Sequence, residues 1–269
     1  MDFEPRPVGF VLVSTGHGTL IVNRFDVSET TNGLKYGMGF TLLSEGMISR
    51  GDINFMFWLL QERRKHFGER VMVLDCGANI GTHTVSLAAA MAGWGNVAAF
   101  EAQERVYYAL AGNLAINNCF NAQAIHAAIG ETTGTINVPH VDFLRPGSFG
   151  SLELRQRDTT EDIGQPIDYH NAQPVKMISI DSLNLKRVDL IKLDIEGMEL
   201  EALHGAHETL LKHKPILFVE HIKTDLNALT KFFEDYGYSY IPVEINMLAI
   251  HQEDPSHALL VNKANAEMA

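Results

Sequence analysis

Apolar runs punctuate the chain, each short enough for a strand and each closed by a carboxylate, a glycine or a histidine: VMVLD at 71–75, NVAAFE at 96–101, AQAIHAAIG at 122–130, DLIKLD at 189–194 and PILFVEH at 215–221. Runs of that length without alternation read as strands buried on both faces. Between them the period changes to that of a helix. An alanine-rich segment follows Gly81, and 105–117 carries Val106, Leu110 and Leu114 before Asn117 and Asn118. MELEALHGAHETLLK at 198–212 has Leu200, Leu203, Ala206 and Leu210 on one face. Thr224 or Asp225 is placed to cap a last helix through Leu226, Leu229, Phe232, Phe233 and Tyr236, stopping at Gly237. Strand and helix in alternation predict an α/β fold with a mostly parallel sheet and helices on both faces. YSYIPVE, NMLAIHQ and HALLVN add short strands at the end, an antiparallel pair among them.

Ahead of this series, VGFVLV and TLIV around STGHG predict a hairpin over 8–22. The glycine-rich segment 23–51 predicts no element. Asp52 is placed to cap a helix over 52–67 that ends at Gly68; Phe55, Met56, Phe57, Trp58, Leu59 and Leu60 leave its first half without a polar face. That half is expected to be buried on most sides, by the catalytic domain or by a second subunit of a homo-oligomer. Arg63, Arg64 and Lys65 read as a solvated end matched to the helix dipole. Residues 131–174 are too long for an ordinary α/β connection and imply an insertion, with FLRPGSFGSLEL as an apolar island within it. The domain division expected is 1–70 as an N-terminal extension and 71–269 as the catalytic domain.

A chain of 269 residues, 46% of them hydrophobic, can bury one large core. Its net charge of −12 disfavours DNA, RNA and anionic membranes as general partners. Cys76 and Cys119 give no disulfide framework and read as small buried apolar residues of a cytoplasmic protein. MDFEPRPVGF lacks the pattern of a signal peptide, and no run approaches the roughly 20 apolar residues of a membrane span.

The chemistry concentrates at strand ends. In VMVLDCGANIGTHTVSLAAAMA at 71–92, Gly77 and Gly81 let backbone approach a ligand, and the following helix offers unpaired N–H groups. The third glycine of GxGxxG is missing, and so is the Lys-Ser/Thr pair of a P-loop. Asp75 would repel a pyrophosphate and attract an ammonium or sulfonium; S-adenosylmethionine carries both. Glu101 closes the next strand, at a separation from Asp75 near the roughly 20 residues at which an acidic side chain meets a ribose. Asp194, Glu196, Glu220 and His221 crowd the ends of the later strands. Glu199 and Glu201 suit the positive end of a helix, and His83 reads as packing in the loop.

DCGANIGTHT, FEAQ at 100–103, NLAINN at 113–118 and DLIKLDIEGMELEALHGA at 189–206, in that order, resemble the FkbM family of S-adenosylmethionine-dependent methyltransferases. The resemblance implies a Rossmann-like methyltransferase sheet and O-methylation of a small molecule or a sugar. It implies cofactor binding by Asp75, Gly77, Ala78, Asn79, Gly81, Thr84, Glu101, Ala102 and Ala128, with Ala127 and Ala128 near the adenine and Ser148 and Ser151 matching a serine of the family. Asp194, Glu196 and His221 are the catalytic candidates, as bases or orienting groups. A divalent metal between Asp194 and Glu220 is the less favoured reading, two carboxylates being a sparse set. A nicotinamide-dependent oxidoreductase and a non-catalytic ligand-binding domain of the same fold are the alternatives.

Overall fold

The computed structural model describes residues 7–258. An antiparallel hairpin of β1 (Phe10–Thr15) and β2 (Gly18–Asn23) opens the chain where the sequence places it. Segment 23–51 holds a minimal pair, β3 (Ser28–Glu29) with β4 (Lys35–Tyr36), and helix α1 (Met38–Glu45). Helix α2 (Arg50–Phe67) leads to β5 (Val71–Cys76), α3 (Thr82–Ala90), β6 (Gly95–Glu101), α4 (Glu104–Ile116) and β7 (Ala122–His126). Three strands of a separate sheet follow: β8 (Ala128–Ile129), β9 (Gly134–His140) and β10 (Asp168–Ile178). The chain returns through β11 (Leu190–Leu193), α5 (Glu199–His204), α6 (His207–His213), β12 (Ile216–Glu220), α7 (Leu226–Asp235), β13 (Tyr238–Val243) and β14 (Asn246–His251).

The main sheet has seven strands in the order β13-β14-β12-β11-β5-β6-β7. Neighbours from β12 to β7 are parallel, and β14 is antiparallel to both β12 and β13. This is the mostly parallel, Rossmann-like sheet with an antiparallel C-terminal pair that the sequence implies. From β5 the chain winds outward through β6 to β7, then crosses back to β11 on the other side, so the order reverses between β5 and β11. Open α/β sheets hold ligands at that reversal, beyond the carboxyl ends of the strands.

One buried cluster fills the face under α2, α3 and α4, with Leu59, Leu60, Val73, Val85, Val97 and Leu110. Leu20, Val22 and Leu42 of the hairpin and α1 belong to that same cluster, so the first elements and the sheet share apolar burial. The other face packs Leu74, Phe100, Ile191, Leu203, Leu217 and Phe233 against α5, α6 and α7.

Several expectations need correction. Asp52 does not cap α2: the helix starts at Arg50 behind Ser49, which is left-handed at φ 51° and makes no side-chain cap. Its first half is buried on most sides: Met56, Leu59 and Leu60 lie in the core and Phe55 and Phe57 pack against it half-buried, while Trp58 stays 38% exposed, stacked on Phe55. Arg63 is not solvated. Positions 53, 56, 60 and 63 continue one helical face into the core, and the 4%-exposed Arg63 ion-pairs there with Asp189 and Asp254. The strand over 122–130 is two strands, because the chain leaves the main sheet after His126 and pairs Ala128 with Met177 of β10. The helix over 198–212 is also two: Gly205 lies so near the Gly130 carbonyl that a Cβ there would stand 2.3 Å from its oxygen. Asp181 then supplies the missing cap of α6, accepting from the backbone N–H of Glu208 and Thr209. Asp225, not Thr224, caps α7. The strand expected over 257–262 lies outside the described residues from 259 on, and 257 and 258 are helical.

Candidate active site

A cleft of about 490 Å³ opens at the strand-order reversal, within the size range of small-molecule sites. Its floor is the turn after β5. Gly77 has φ 77°, and a Cβ on it would lie 1.7 Å from the Asp194 carbonyl oxygen, so no other residue fits between β5 and β11. Gly77 and Ala78 donate their N–H groups to the Phe100 carbonyl at 3.0 and 2.9 Å, binding the turn to β6 as well. Asn113, from the NLAINN stretch, holds it from behind: buried in α4, it donates to the Ile80 carbonyl at 2.8 Å and accepts from Ile21 N–H of the hairpin.

Glu101, at the tip of β6, is 7% exposed and lines the cleft. Its two oxygens accept from the N–H groups of Asn79 (3.0 Å) and Gln103 (2.8 Å). Burial raises its pKa to about 7 against the pull of those bonds. Gln103 in turn donates to the Phe149 carbonyl at 2.7 Å, tying FEAQ to the insertion. Ala102, Ala127 and Ala128 form the wall beside Glu101.

Asp75, Gly81 and Thr84 are placed differently, behind the cleft's lining. Asp75 is 1% exposed, accepts from the Thr84 hydroxyl at 2.6 Å and lies 3.6 Å from Lys192 Nζ. Gly81 is the left-handed residue ahead of α3, with φ 90°. Lys192 itself reaches Asp194 Oδ2 at 3.0 Å, bridging the tips of β5 and β11. Burial pulls the Lys192 ammonium down, but Asp194 and Asp75 outweigh it and the net shift is upward.

On the far wall, Glu196 and Lys223 are ion-paired, and Lys223 also reaches Glu161 (2.8 Å) and the Ser151 carbonyl (3.0 Å). One ammonium thereby fastens the insertion to the turn after β11. Burial lifts Glu196 to about 8, with Lys223 opposing. Glu220 ends β12 only 6% exposed, and its Oε2 is buried without a hydrogen-bond partner. Its pKa is raised, first by burial and then by Asp194 and Glu196. Glu199 is buried and fully engaged, accepting from Ile195 N–H, Gly197 N–H and the Thr224 hydroxyl. Glu201 pairs at the surface with Arg155.

Asp194 and Glu196 therefore meet in the cleft with Glu101, Gly77, Ala78, Asn79, Ala102 and Ala128, whereas His221 is not among the lining residues. Ser151 lines the cleft; the buried Ser148 hydroxyl pairs with it at 2.9 Å. His83 also lines the cleft; burial and then Lys192 lower its pKa to about 4, leaving a neutral imidazole. Lys192, Lys223 and Gln103 escaped the sequence reading. For Lys192 a signal existed: a lysine inside DLIKLD, where every strand residue is buried, needs a carboxylate partner.

A Methyltransferase FkbM domain model matches residues 75–240, well over half of the chain and every strand tip around the cleft. The chain belongs to the FkbM methyltransferase family. Among solved structures it is similar to the methyltransferase FkbM from Methylobacillus flagellatus KT, at 22% identity over 68% of this chain and 43% of that one, TM-score 0.48. It is also similar to precorrin-6y C5,15-methyltransferase from Geobacter metallireducens GS-15, at 15% identity over 77% of this chain and 90% of that one, TM-score 0.41. A SAM dependent methyltransferase from Aquifex aeolicus is 12% identical over 76% of this chain and 98% of its own, TM-score 0.35. The chain spans less than half the length of the Methylobacillus structure. No curated protein matches it. Family membership implies S-adenosylmethionine as the cofactor. No helix among the described residues is long and apolar enough to cross a membrane.

Proposed function

We propose that this FkbM domain is an S-adenosylmethionine-dependent O-methyltransferase whose acceptor is a hydroxyl of a small molecule or a sugar. The observation that carries the reading is the convergence of the Gly77 turn, Glu101 and Asp194 on one cleft at the strand-order reversal. Each Glu101 oxygen spends one lone pair on a backbone N–H and keeps capacity for a ribose hydroxyl. Ala102 and Ala128, small and adjacent, leave room for a flat ring. Gly77, Ala78 and Asn79 form the backbone surface against which the donor lies. Asp75 and Thr84 act from behind, fixing Lys192 and the turn, and Gly81 lets the chain enter α3.

The bound donor supplies a methyl group on a sulfonium. What the protein adds is placement and a destination for one proton. A hydroxyl is a poor nucleophile until its proton leaves, and Asp194, Glu196 and Glu220 offer carboxylate oxygens for it on the opposite wall. With His221 outside the lining, these carboxylates take the role the sequence assigned partly to the histidine. Incubation with methyl-labelled donor and a panel of sugars, phenols and aliphatic alcohols tests the reading. Label in an acceptor oxygen is expected; label only on nitrogen or carbon of control acceptors would overturn O-methylation.

A further inference from the structure

We propose that Asp194, Glu196 and Glu220 bind one divalent cation of the hard, oxygen-preferring kind. One carboxylate oxygen from each lies within 4.8 Å of the other two, the spacing that ligands take around an ion with metal–oxygen bonds of roughly 2.0–2.6 Å. Acidic triads alone mean little. The observation that points to a ligand is Glu220, more than nine-tenths buried, which supplies one oxygen to this cluster and whose Oε2 has no hydrogen-bond partner.

The other buried carboxylates near the floor have partners, although Asp75 Oδ1 makes no hydrogen bond and has only the Lys192 ammonium, at 3.6 Å. Asp75 has Thr84 and Lys192, Glu101 two backbone N–H groups, and Glu199 two backbone N–H groups and a hydroxyl. Lys192 is shared between Asp75 and Asp194, and Lys223 between Glu161 and Glu196; neither ammonium forms an ion pair with Glu220, which feels Lys192 only at longer range. Five carboxylates line the cleft against these two lysines. A buried carboxyl without a partner is neutralised by its proton or by a cation, and a dication offsets this excess better than a single ammonium. The role of the ion in transfer rests on the methyltransferase reading: it would lower the pKa of a coordinated acceptor hydroxyl, whose proton would pass to a carboxylate oxygen of this trio that does not hold the ion. Its binding does not rest on that reading.

The test uses the full chain, stripped with a chelator and titrated with MgCl2, MnCl2 or CaCl2 alone, followed by calorimetry and, for manganese, by electron paramagnetic resonance. One ion per chain is expected, with Glu220→Gln and Asp194→Asn each weakening it by about tenfold or more. Glu201→Gln, at the surface pair with Arg155, should leave it unchanged. Circular dichroism of each variant checks the fold, and Glu220→Gln removes a charge without removing volume. No saturable binding up to about 10 mM, about tenfold beyond the weak end of natural sites, would overturn the proposal, and so would equal binding by Glu220→Gln. A Glu220→Gln variant that loses affinity for S-adenosylhomocysteine while the native chain binds no metal would assign the site to the donor's ammonium and also overturn it.

Discussion

Glu101 is the residue on which the donor reading makes its sharpest demand. Replacing a carboxylate that accepts ribose hydroxyls should cost about 1.5–3 kcal/mol of S-adenosylhomocysteine affinity, the scale of bonds to charged groups, so Glu101→Ala is expected to raise Kd about 10- to 150-fold in calorimetry. Because burial lifts Glu101 to about 7, the ionised acceptor forms only as pH rises through that value. Affinity should therefore strengthen from mildly acidic to mildly alkaline pH, and Glu101→Gln should flatten that profile. Gly77 makes a structural demand instead: a methyl group 1.7 Å from the Asp194 carbonyl forces β5 and β11 apart. Gly77→Ala is expected to lose about 3 kcal/mol or more of stability, read from a denaturant melt.

At the scale of elements, α2 carries two arginines that look alike in sequence and differ in consequence. Arg63→Ala leaves Asp254 buried without its cation and should cost about 3–5 kcal/mol. Arg64, paired with Glu69 at the surface, should cost about 1 kcal/mol or less when replaced by alanine. Equal denaturant midpoints for the two variants would contradict this account of the helix. The same contrast marks what the sequence made legible. Strands β5, β6, β11 and β12 were readable because burial on both faces leaves an unbroken apolar run, and Asp194 and Glu101 because they close such runs. The split of 198–212 was hidden because Gly205 yields to the backbone of Gly130, a neighbour distant in sequence. The insertion was legible from its length, but the structure within it was closed to sequence pattern, since β9 finds its partner β10 across a long intervening segment that also wraps the cleft. Lys223 acquires its place only from that wrapping.

For the whole molecule, buried carboxyl groups in the cleft, and Asp26 outside its lining, make stability depend on pH. Asp26 (about 7), Glu101 (about 7), Glu196 (about 8) and Glu220 all hold protons more tightly folded than unfolded, burial being the first cause in each. Stability from such groups is present while they are protonated and is lost as pH rises through their folded values. His17, His83, His213 and His251 are shifted downward and favour the folded state as pH rises, but that gain is complete by about pH 6.5. The unliganded protein should thus melt roughly 5 °C lower near pH 8.5 than near pH 6.5, and Glu220→Gln should narrow the gap. A melting temperature that rises across this window would contradict the burial of these carboxyl groups. The central claim, that the cleft takes a methyl donor of the S-adenosylmethionine kind, is tested most directly by calorimetric titration of the full chain with S-adenosylhomocysteine and, separately, with NAD. Saturable binding of one S-adenosylhomocysteine per chain, with no heat from NAD, is the expected result; binding of NAD without S-adenosylhomocysteine would contradict it.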